Sequence, residues 1–328
     1  MSNLIEIYGA EMSPYSVKLR AFCRYKNIPH KWLNRGDHEE AYKRLAKLPI
    51  IPLMHFPDGT VMQDSTPIMD RLETSFPEVP SQPKDPTLHF LSILLEEYGD
   101  EWLNKIMFHF RWFREIDQMT SAYILARAFS ASAKPDAIDN AAGMIQQHMS
   151  SRGNFVGSSD ETAPLIEQYF FDLMALLEPH LETRPYLLGG KPVAGDFGTS
   201  AQVYEMSLDP TLGGYLRAQY PNTLAWCLRM QDPTDRGELE AWQSLELTLK
   251  PLLKNIGTYF LPWSLANAAA LIDGASTFSV ELSGHTYSQQ PQKYHAKSLA
   301  VLREKFKPFR GHEPLNKILQ DTKILEAL

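Results

Sequence analysis

The sequence predicts a small α/β domain, then an all-α domain, then a mostly helical C-terminal extension. The first 80 residues alternate short β-like runs with amphipathic helices. Four prolines between residues 77 and 86 are typical of a linker, and helical periodicity dominates the chain after them. We therefore divide the 328 residues into 1–80, 86–245 and 246–328.

Hydrophobic periodicity, a charged helix-prone run and the turn signal Pro57-Asp58-Gly59 predict seven elements in the first domain. In chain order they are a strand at Leu4–Ile7, a helix through Val17–Phe22, a strand at His30–Leu33, a helix at residues 38–47, strands at Pro52–Phe56 and Thr60–Met62, and a helix at Thr66–Phe76. The order β-α-β-α-β-β-α is a thioredoxin-like arrangement.

Helical patterns then predict the rest of the chain. The predicted helices lie at residues 88–130, 137–149 and 164–182, then at Leu245–Leu253, Trp263–Ile272, 295–306 and 314–327, with a break at Ser132–Pro135 and a strand at Thr277–Leu282. The span Ile256–Ile272 lacks charged residues but is short for a membrane span, so it predicts a buried helix pair bent at Pro262. Because no Gly- or Pro-rich linker precedes the extension, we expect it to fold back on the second domain.

Three short motifs in the first domain can each form part of a site for a thiol-bearing peptide. Ser13 is a hydroxyl at a strand-to-helix turn. Pro52 at the start of a strand can leave a backbone edge free for a ligand. Asp64 and Ser65 bring a carboxylate and a hydroxyl to a helix N-terminus, where anionic groups bind. Ser13 and Asp64-Ser65 could equally be ordinary helix caps, and Pro52 an ordinary trans proline at a strand start, so the order and spacing of the motifs carry the interpretation.

These motifs resemble those of the cytosolic glutathione transferases of the serine type, which include theta- and tau-like members. The resemblance depends on Ser13-Pro14-Tyr15-Ser16 with Lys18 and Arg20, on Ile51-Pro52, on Asp58-Gly59, and on Asp64-Ser65 with Ile68. It covers residues 1–80 well and 85–245 in outline, whereas the extension is atypical. It implies a thioredoxin-like domain followed by an all-α domain, glutathione as co-substrate, and usually a homodimer.

The resemblance also implies roles for individual residues. Ser13 would stabilise the glutathione thiolate by a hydrogen bond, with Ser16 as the alternative hydroxyl. Ile51, followed by a cis Pro52, would pair with the cysteinyl backbone, while Asp64 and Ser65 would bind the γ-glutamyl ammonium and carboxylate.

A hydrophobic electrophile would bind between the domains. The candidate pocket residues are Tyr15, Phe108, Arg111 and Trp112.

The sequence departs from the family at two positions. Leu48-Pro49-Ile50 stands where many members have a polar or basic residue for the glycyl carboxylate. Val193 replaces the usual Ser or Thr three positions before Asp196, which we interpret as a structural aspartate. A non-catalytic binding or scaffold protein of the same fold, using the extension for interactions, is therefore the alternative function.

Composition limits the remaining classes of function. The net charge of −7 argues against nucleic-acid binding over the whole surface, and six Lys or Arg between residues 293 and 310 are interpreted as a solvated helix face. Two distant cysteines, Cys23 and Cys227, and a first strand in place of a signal peptide predict a reduced, cytoplasmic protein. The sequence contains no cluster of His, Cys, Asp or Glu with the spacing of metal ligands, so we predict no metal site.

Overall fold

The computed structural model describes residues 4–129 and 134–328. The break predicted at Ser132–Pro135 lies partly outside these residues, and Pro135 is the first residue of a helix.

The first domain has a mixed four-stranded sheet flanked by helices. Its elements are β1 Ile5–Gly9, α1 Pro14–Tyr25, β2 His30–Asn34, α2 Glu39–Leu45, β3 Leu53–His55, β4 Val61–Gln63 and α3 Ser65–Ser75. The strand order is β2-β1-β3-β4, with β1 and β2 parallel and the other two pairs antiparallel. The predicted thioredoxin-like order is confirmed, since every predicted element is present within a few residues of its expected bounds.

The second domain is built of helices joined by loops. Its helices are α4 Pro86–Tyr98, α5 Asn104–Phe113, α6 Glu115–Phe129, α7 Pro135–Ser150, α8 Gly153–Val156, α9 Ala163–Leu181, α10 Ala194–Leu208, α11 Pro210–Gln219 and α12 Pro221–Arg229. A π-helical turn, Gly99–Leu103, joins α4 to α5. Gly99 permits the close approach of α10, because a Cβ at this position would lie 2.5 Å from the backbone nitrogen of Thr199.

Asp196 organises the start of α10. Its carboxylate accepts the backbone N–H groups of Leu187 (2.8 Å) and Val193 (3.0 Å) and the indole N–H of Trp226 (2.8 Å). Burial raises the pKa of Asp196 to about 7, although these three donors favour its charged form. The expected bonds from Asp196 to backbone amides are present, and Val193 contributes only its backbone.

The extension is mainly helical and contains one β-hairpin. Its elements are α13 Trp242–Thr258, α14 Phe260–Ile272, β5 Phe278–Leu282, β6 His285–Gln289, α15 Lys293–Phe306 and α16 Glu313–Asp321. Helix α13 runs across residue 245, so the boundary drawn there falls inside a helix. The bend expected at Pro262 lies instead at Tyr259, because Pro262 fits within the first turn of α14, where a proline lacks no needed donor. Among the described residues, no helix has the length and apolar character needed to span a bilayer.

Aromatic contacts join the extension to the start of the second domain. Phe306 and Phe309 lie 4.8 Å and 5.7 Å from Phe90 of α4, measured between ring centroids. Trp263 of α14 lies 5.4 Å from Trp102 in the π-helical turn. The extension thus covers part of the apolar start of the second domain, at Phe90 and Trp102. The homodimer that the resemblance implies stays a prediction.

Candidate active site

Ser13 is the N-cap of α1, and its hydroxyl is oriented by Ser16. The Ser13 Oγ accepts the backbone N–H of Ser16 (3.3 Å) and the Ser16 hydroxyl (3.0 Å). A serine hydroxyl has two lone pairs and one proton, and no group in the described part of the chain accepts the Ser13 proton, which can therefore be donated to a ligand. The Ser16 hydroxyl is buried and committed to Ser13. The geometry therefore favours Ser13 over Ser16 as the hydroxyl that can donate to a ligand.

The peptide bond between Ile51 and Pro52 is cis, as the sequence predicted. The preceding loop is braced by the amide of Gln63, which accepts the N–H of Leu48 (3.0 Å) and donates to the carbonyls of Leu48 (2.7 Å) and Ile50 (2.9 Å). The Tyr42 hydroxyl also donates to the carbonyl of Ile50 (2.7 Å). Gln63, which sequence reasoning missed, thus helps to fix the backbone at Ile51. Side chains of Leu48 and Ile50 are exposed and offer no charge to a carboxylate.

Asp64 and Ser65 occupy the start of α3 in the arrangement the sequence predicted. Asp64 has a φ of 84°, in the left-handed region that non-glycine residues seldom adopt and that often marks functional sites. Ser65 is buried, and its Oγ has no hydrogen-bond partner within the described part of the chain. A buried hydroxyl without a partner costs free energy, so a ligand that supplies one is favoured here.

A mostly apolar cavity of about 640 Å³ lies between the two domains, next to Ser13. Three of the four predicted pocket residues, Phe108, Arg111 and Trp112, line it. The remaining lining residues are Ala10, Met12, Arg35, Ile51, Met107, Leu125, Phe129, Met144, Ile145, His148 and Met149. The methionines and α7 residues were missed, because nothing in the sequence shows that α7 folds back over α5.

Tyr15, the fourth predicted pocket residue, lies outside this cavity. Its hydroxyl donates to the carbonyl of Asp100 (3.0 Å) and accepts the amide of Asn104 (3.1 Å). Burial and the neighbouring carboxylates raise its pKa well above the ordinary tyrosine value, so it stays a neutral structural donor.

Arg111 touches the cavity wall but its guanidinium is committed to other groups. Its Nε lies 2.9 Å from Asp209 and its Nη2 lies 3.0 Å from Glu205, and all three side chains are buried. Such a desolvated, doubly paired arginine holds α5 against α10 and has little capacity left for a ligand. Arg111 is therefore a structural part of the cavity wall.

Lys18, noted in the sequence only as part of a motif, connects both ends of the site. Its Nζ contacts Glu96 (2.7 Å), Asp100 (2.5 Å) and the Thr66 hydroxyl (2.9 Å). Burial alone would lower the pKa of Lys18, but the two carboxylates raise it above the ordinary value, so the amine is charged. This network ties α1, which carries Ser13, to the first turn of α3 and to α4.

A second, more polar groove of about 760 Å³ lies on the linker side of the molecule. It runs between the linker around Pro83, residues 238–243 and α16, and holds none of the predicted site residues. The smaller cavity beside Ser13 is therefore the candidate active site, because a hydroxyl that can donate a hydrogen bond and an apolar lining occur together there.

Comparison with known proteins identifies the first domain. Residues 7–80 match the family described as glutathione S-transferase, N-terminal domain. Among curated proteins, no sequence matches the chain.

Several solved structures resemble about 70% of the chain distantly. A glutathione S-transferase from Rhodospirillum rubrum is 14% identical over 70% of this chain and 89% of its own, with a TM-score of 0.47. The β-etherase LigF from Sphingobium is 19% identical over 70% of this chain and 95% of its own, with a TM-score of 0.49. A glutathione S-transferase of Ceriporiopsis subvermispora in complex with glutathione is 16% identical over 70% of this chain and 97% of its own, with a TM-score of 0.44. These scores are too low to add weight, so the assignment depends on the family match. Residues 7–80 therefore form a domain of the family described as glutathione S-transferase, N-terminal domain.

Proposed function

We propose that this chain is a glutathione transferase-like enzyme in which Ser13 stabilises a glutathione thiolate for attack on a small hydrophobic electrophile. The observation that carries the proposal is the position of Ser13 in the wall of the interdomain cavity, with a hydroxyl proton that no described residue accepts. In this scheme the peptide lies along Ile51 and Pro52, with its γ-glutamyl end at Asp64 and Ser65.

The chemistry requires a thiolate near neutral pH. A free thiol has a pKa of about 8.5, so only a small fraction is ionised at pH 7. A hydrogen bond from Ser13 favours the charged form, and the N-terminus of the twelve-residue helix α1 acts in the same direction. The thiol proton leaves to solvent, the sulfur forms a bond to the electrophilic carbon, and the leaving group departs with its electron pair or the adduct takes up a proton.

The shape of the cavity supports a hydrophobic acceptor molecule. Phe108 and Trp112 provide aromatic surface, and Met107, Met144 and Met149 provide flexible, polarisable side chains that adapt to irregular shapes. The volume of about 640 Å³ is in the usual range for small-molecule sites. We infer an aromatic or extended apolar electrophile.

Calorimetric titration with glutathione, together with conjugation of an activated aryl halide, tests the proposal. Ser65→Ala is expected to weaken glutathione binding about tenfold or more, through loss of a hydrogen bond to a charged carboxylate. Because the Ser65 hydroxyl has no hydrogen-bond partner among residues 4–129 and 134–328, the same variant should keep or raise the melting temperature. Ser75→Ala, an exposed serine at the other end of α3, is the matched control. No binding of glutathione by the wild-type protein would refute the proposal.

A non-catalytic binding or scaffold protein is the second candidate. The uncharged loop Leu48-Pro49-Ile50 favours it, since a glycyl carboxylate finds no basic side chain there. Retention on immobilised glutathione without measurable conjugation of any electrophile would select this function.

A further inference from the structure

One residue of the extension reaches the γ-glutamyl end of the proposed peptide site. The hydroxyl of Tyr294, in the first turn of α15, donates to Asp64 Oδ2 at 3.0 Å. The two residues are 230 positions apart in the sequence. The Tyr294 side chain is 49% exposed, so it lies at the mouth of the site, where a ligand can reach the carboxylate it holds.

The position of Tyr294 is fixed by the docking of the whole helix. His295 contacts Glu101, and Ser298 contacts Glu97, both on the α4 side of the site. At the other end of α15, Lys305 lies 2.9 Å from Asp70 of α3. Helix α15 is thus held to α3 and to α4 on both sides of the contact.

The surroundings of Asp64 are suited to an ammonium group. A crevice of about 90 Å³ lies beside Asp64, between α3, α4 and α15. It is lined by more carboxylates, including Asp64, Glu97 and Glu101, than amines. Burial and repulsion from neighbouring carboxylates raise the pKa of Glu97 and of Glu101 to about 8, and a bound cation would relieve that repulsion.

One bond from Tyr294 does not use up the Asp64 carboxylate. A carboxylate has about four acceptor positions, so the second oxygen can accept a ligand ammonium while Oδ2 holds the phenol. The Ser65 Oγ next to it has no hydrogen-bond partner among the described residues and is available for the carboxylate of the same amino-acid end. Asp64 and Ser65 thus match an α-amino acid, because Asp64 offers an acceptor for the ammonium and Ser65 a donor for the carboxylate, while Tyr294 holds Asp64 in place.

We propose that the C-terminal extension completes the peptide site, and that Tyr294 is a specificity-determining residue that positions Asp64 for the α-ammonium group of the γ-glutamyl end. This inference rests on the proposed function of the same site. It assigns the extension a direct role in choosing γ-glutamyl thiols over thiols that lack this end.

Calorimetry with two thiols tests the inference. Tyr294→Phe keeps the ring and removes the donor, and we expect its affinity for glutathione to fall about five- to twentyfold. Its affinity for cysteinylglycine, which lacks the γ-glutamyl group, should equal that of the wild type, and kcat should change less than KM. Lys305→Gln, which loses the other tie between α15 and α3, controls for general loosening of the helix.

A double-mutant cycle with Asp64→Asn separates positioning from simple destabilisation. If Tyr294 acts through Asp64, the double variant binds glutathione no more weakly than Asp64→Asn alone. If the wild-type protein binds glutathione and Tyr294→Phe binds it with equal affinity, the inference is overturned and the proposed function stays intact. Absence of wild-type binding would instead overturn the proposed function itself.

Discussion

Removing the Ser13 hydroxyl is expected to raise the pKa of the bound glutathione thiol. The Ser13 Oγ accepts two bonds from Ser16, at 3.3 Å and 3.0 Å, which leaves its proton as the only donor it can offer. A hydrogen bond to a charged group contributes about 1.5–3 kcal/mol. One pKa unit corresponds to about 1.36 kcal/mol, so Ser13→Ala should raise the thiol pKa by about 1–2 units.

The expected kinetic result follows from the thiolate fraction. Below the thiol pKa of both proteins, turnover of a model electrophile should fall about 10- to 100-fold in Ser13→Ala, with a smaller change in glutathione affinity. The loss should shrink as pH rises above the higher pKa, because the thiol is then ionised in both proteins. The pH dependence of kcat and the ultraviolet absorbance of the bound thiolate both measure this shift.

Ser13→Ala also removes the N-cap of α1 and so destabilises this helix. This loss of stability has to be separated from the catalytic effect. Ser13→Ala should lower the free energy of unfolding by about 1 kcal/mol. Asp85→Ala removes the cap of α4, where Asp85 Oδ1 accepts the N–H of Leu88 at 3.0 Å, and provides a control of similar stability cost. Only Ser13→Ala should move the pH profile. A larger shift in Ser16→Ala than in Ser13→Ala would refute the reasoning and transfer the role to Ser16.

Three further predictions concern stability. Asp196→Ala should lower the free energy of unfolding by about 3–6 kcal/mol, since it leaves three buried donors unpaired; a denaturant titration showing a change below about 1 kcal/mol would contradict this. Lys105→Met should raise the free energy of unfolding by about 1–3 kcal/mol, because the buried Nζ lacks a hydrogen-bond partner among the described residues. Burial lowers the Lys105 pKa to about 7, so the buried amine carries its unfavourable charge below pH 7 and loses it at higher pH. The stability gained by Lys105→Met should therefore be full below pH 7 and shrink toward pH 10. Equal stability gains at pH 6 and pH 9 would contradict this prediction. Cutting the chain after Leu245 should expose Phe90 and cause aggregation or a lower melting temperature, whereas an equally stable, monodisperse product would indicate a tethered module.

The local structure around the proposed peptide site could be predicted because its signals are local. An N-cap serine, a proline at a strand start and an Asp-Ser pair before a helix each act within three or four residues. Their order along a β-α-β-α-β-β-α chain then brings Ser13, Pro52 and Asp64 to one end of the sheet. Phe108 and Trp112 followed from the expectation of a pocket between the domains.

The residues that were missed depend on long-range pairing. Nothing near Lys18 shows that it is buried against Glu96 and Asp100, about 80 positions away. Tyr294 is similar, because its contact with Asp64 exists only once the extension has docked. Tyr15 was misplaced for the same reason, since its hydroxyl is captured by Asp100 and Asn104 of the second domain and does not reach the cavity.

The cover that the extension places over α4 has a consequence for synthesis of the chain. Phe306 packs on Phe90 but follows it by 216 positions in the sequence, so the ribosome synthesises this part of the extension long after α4. At a synthesis rate of about 5–20 residues per second, the apolar surface of α4 stays uncovered for roughly 10–45 s. A nascent chain in this interval needs shielding from other chains, and products that terminate before residue 306 keep the face exposed and become targets of chaperones or proteases.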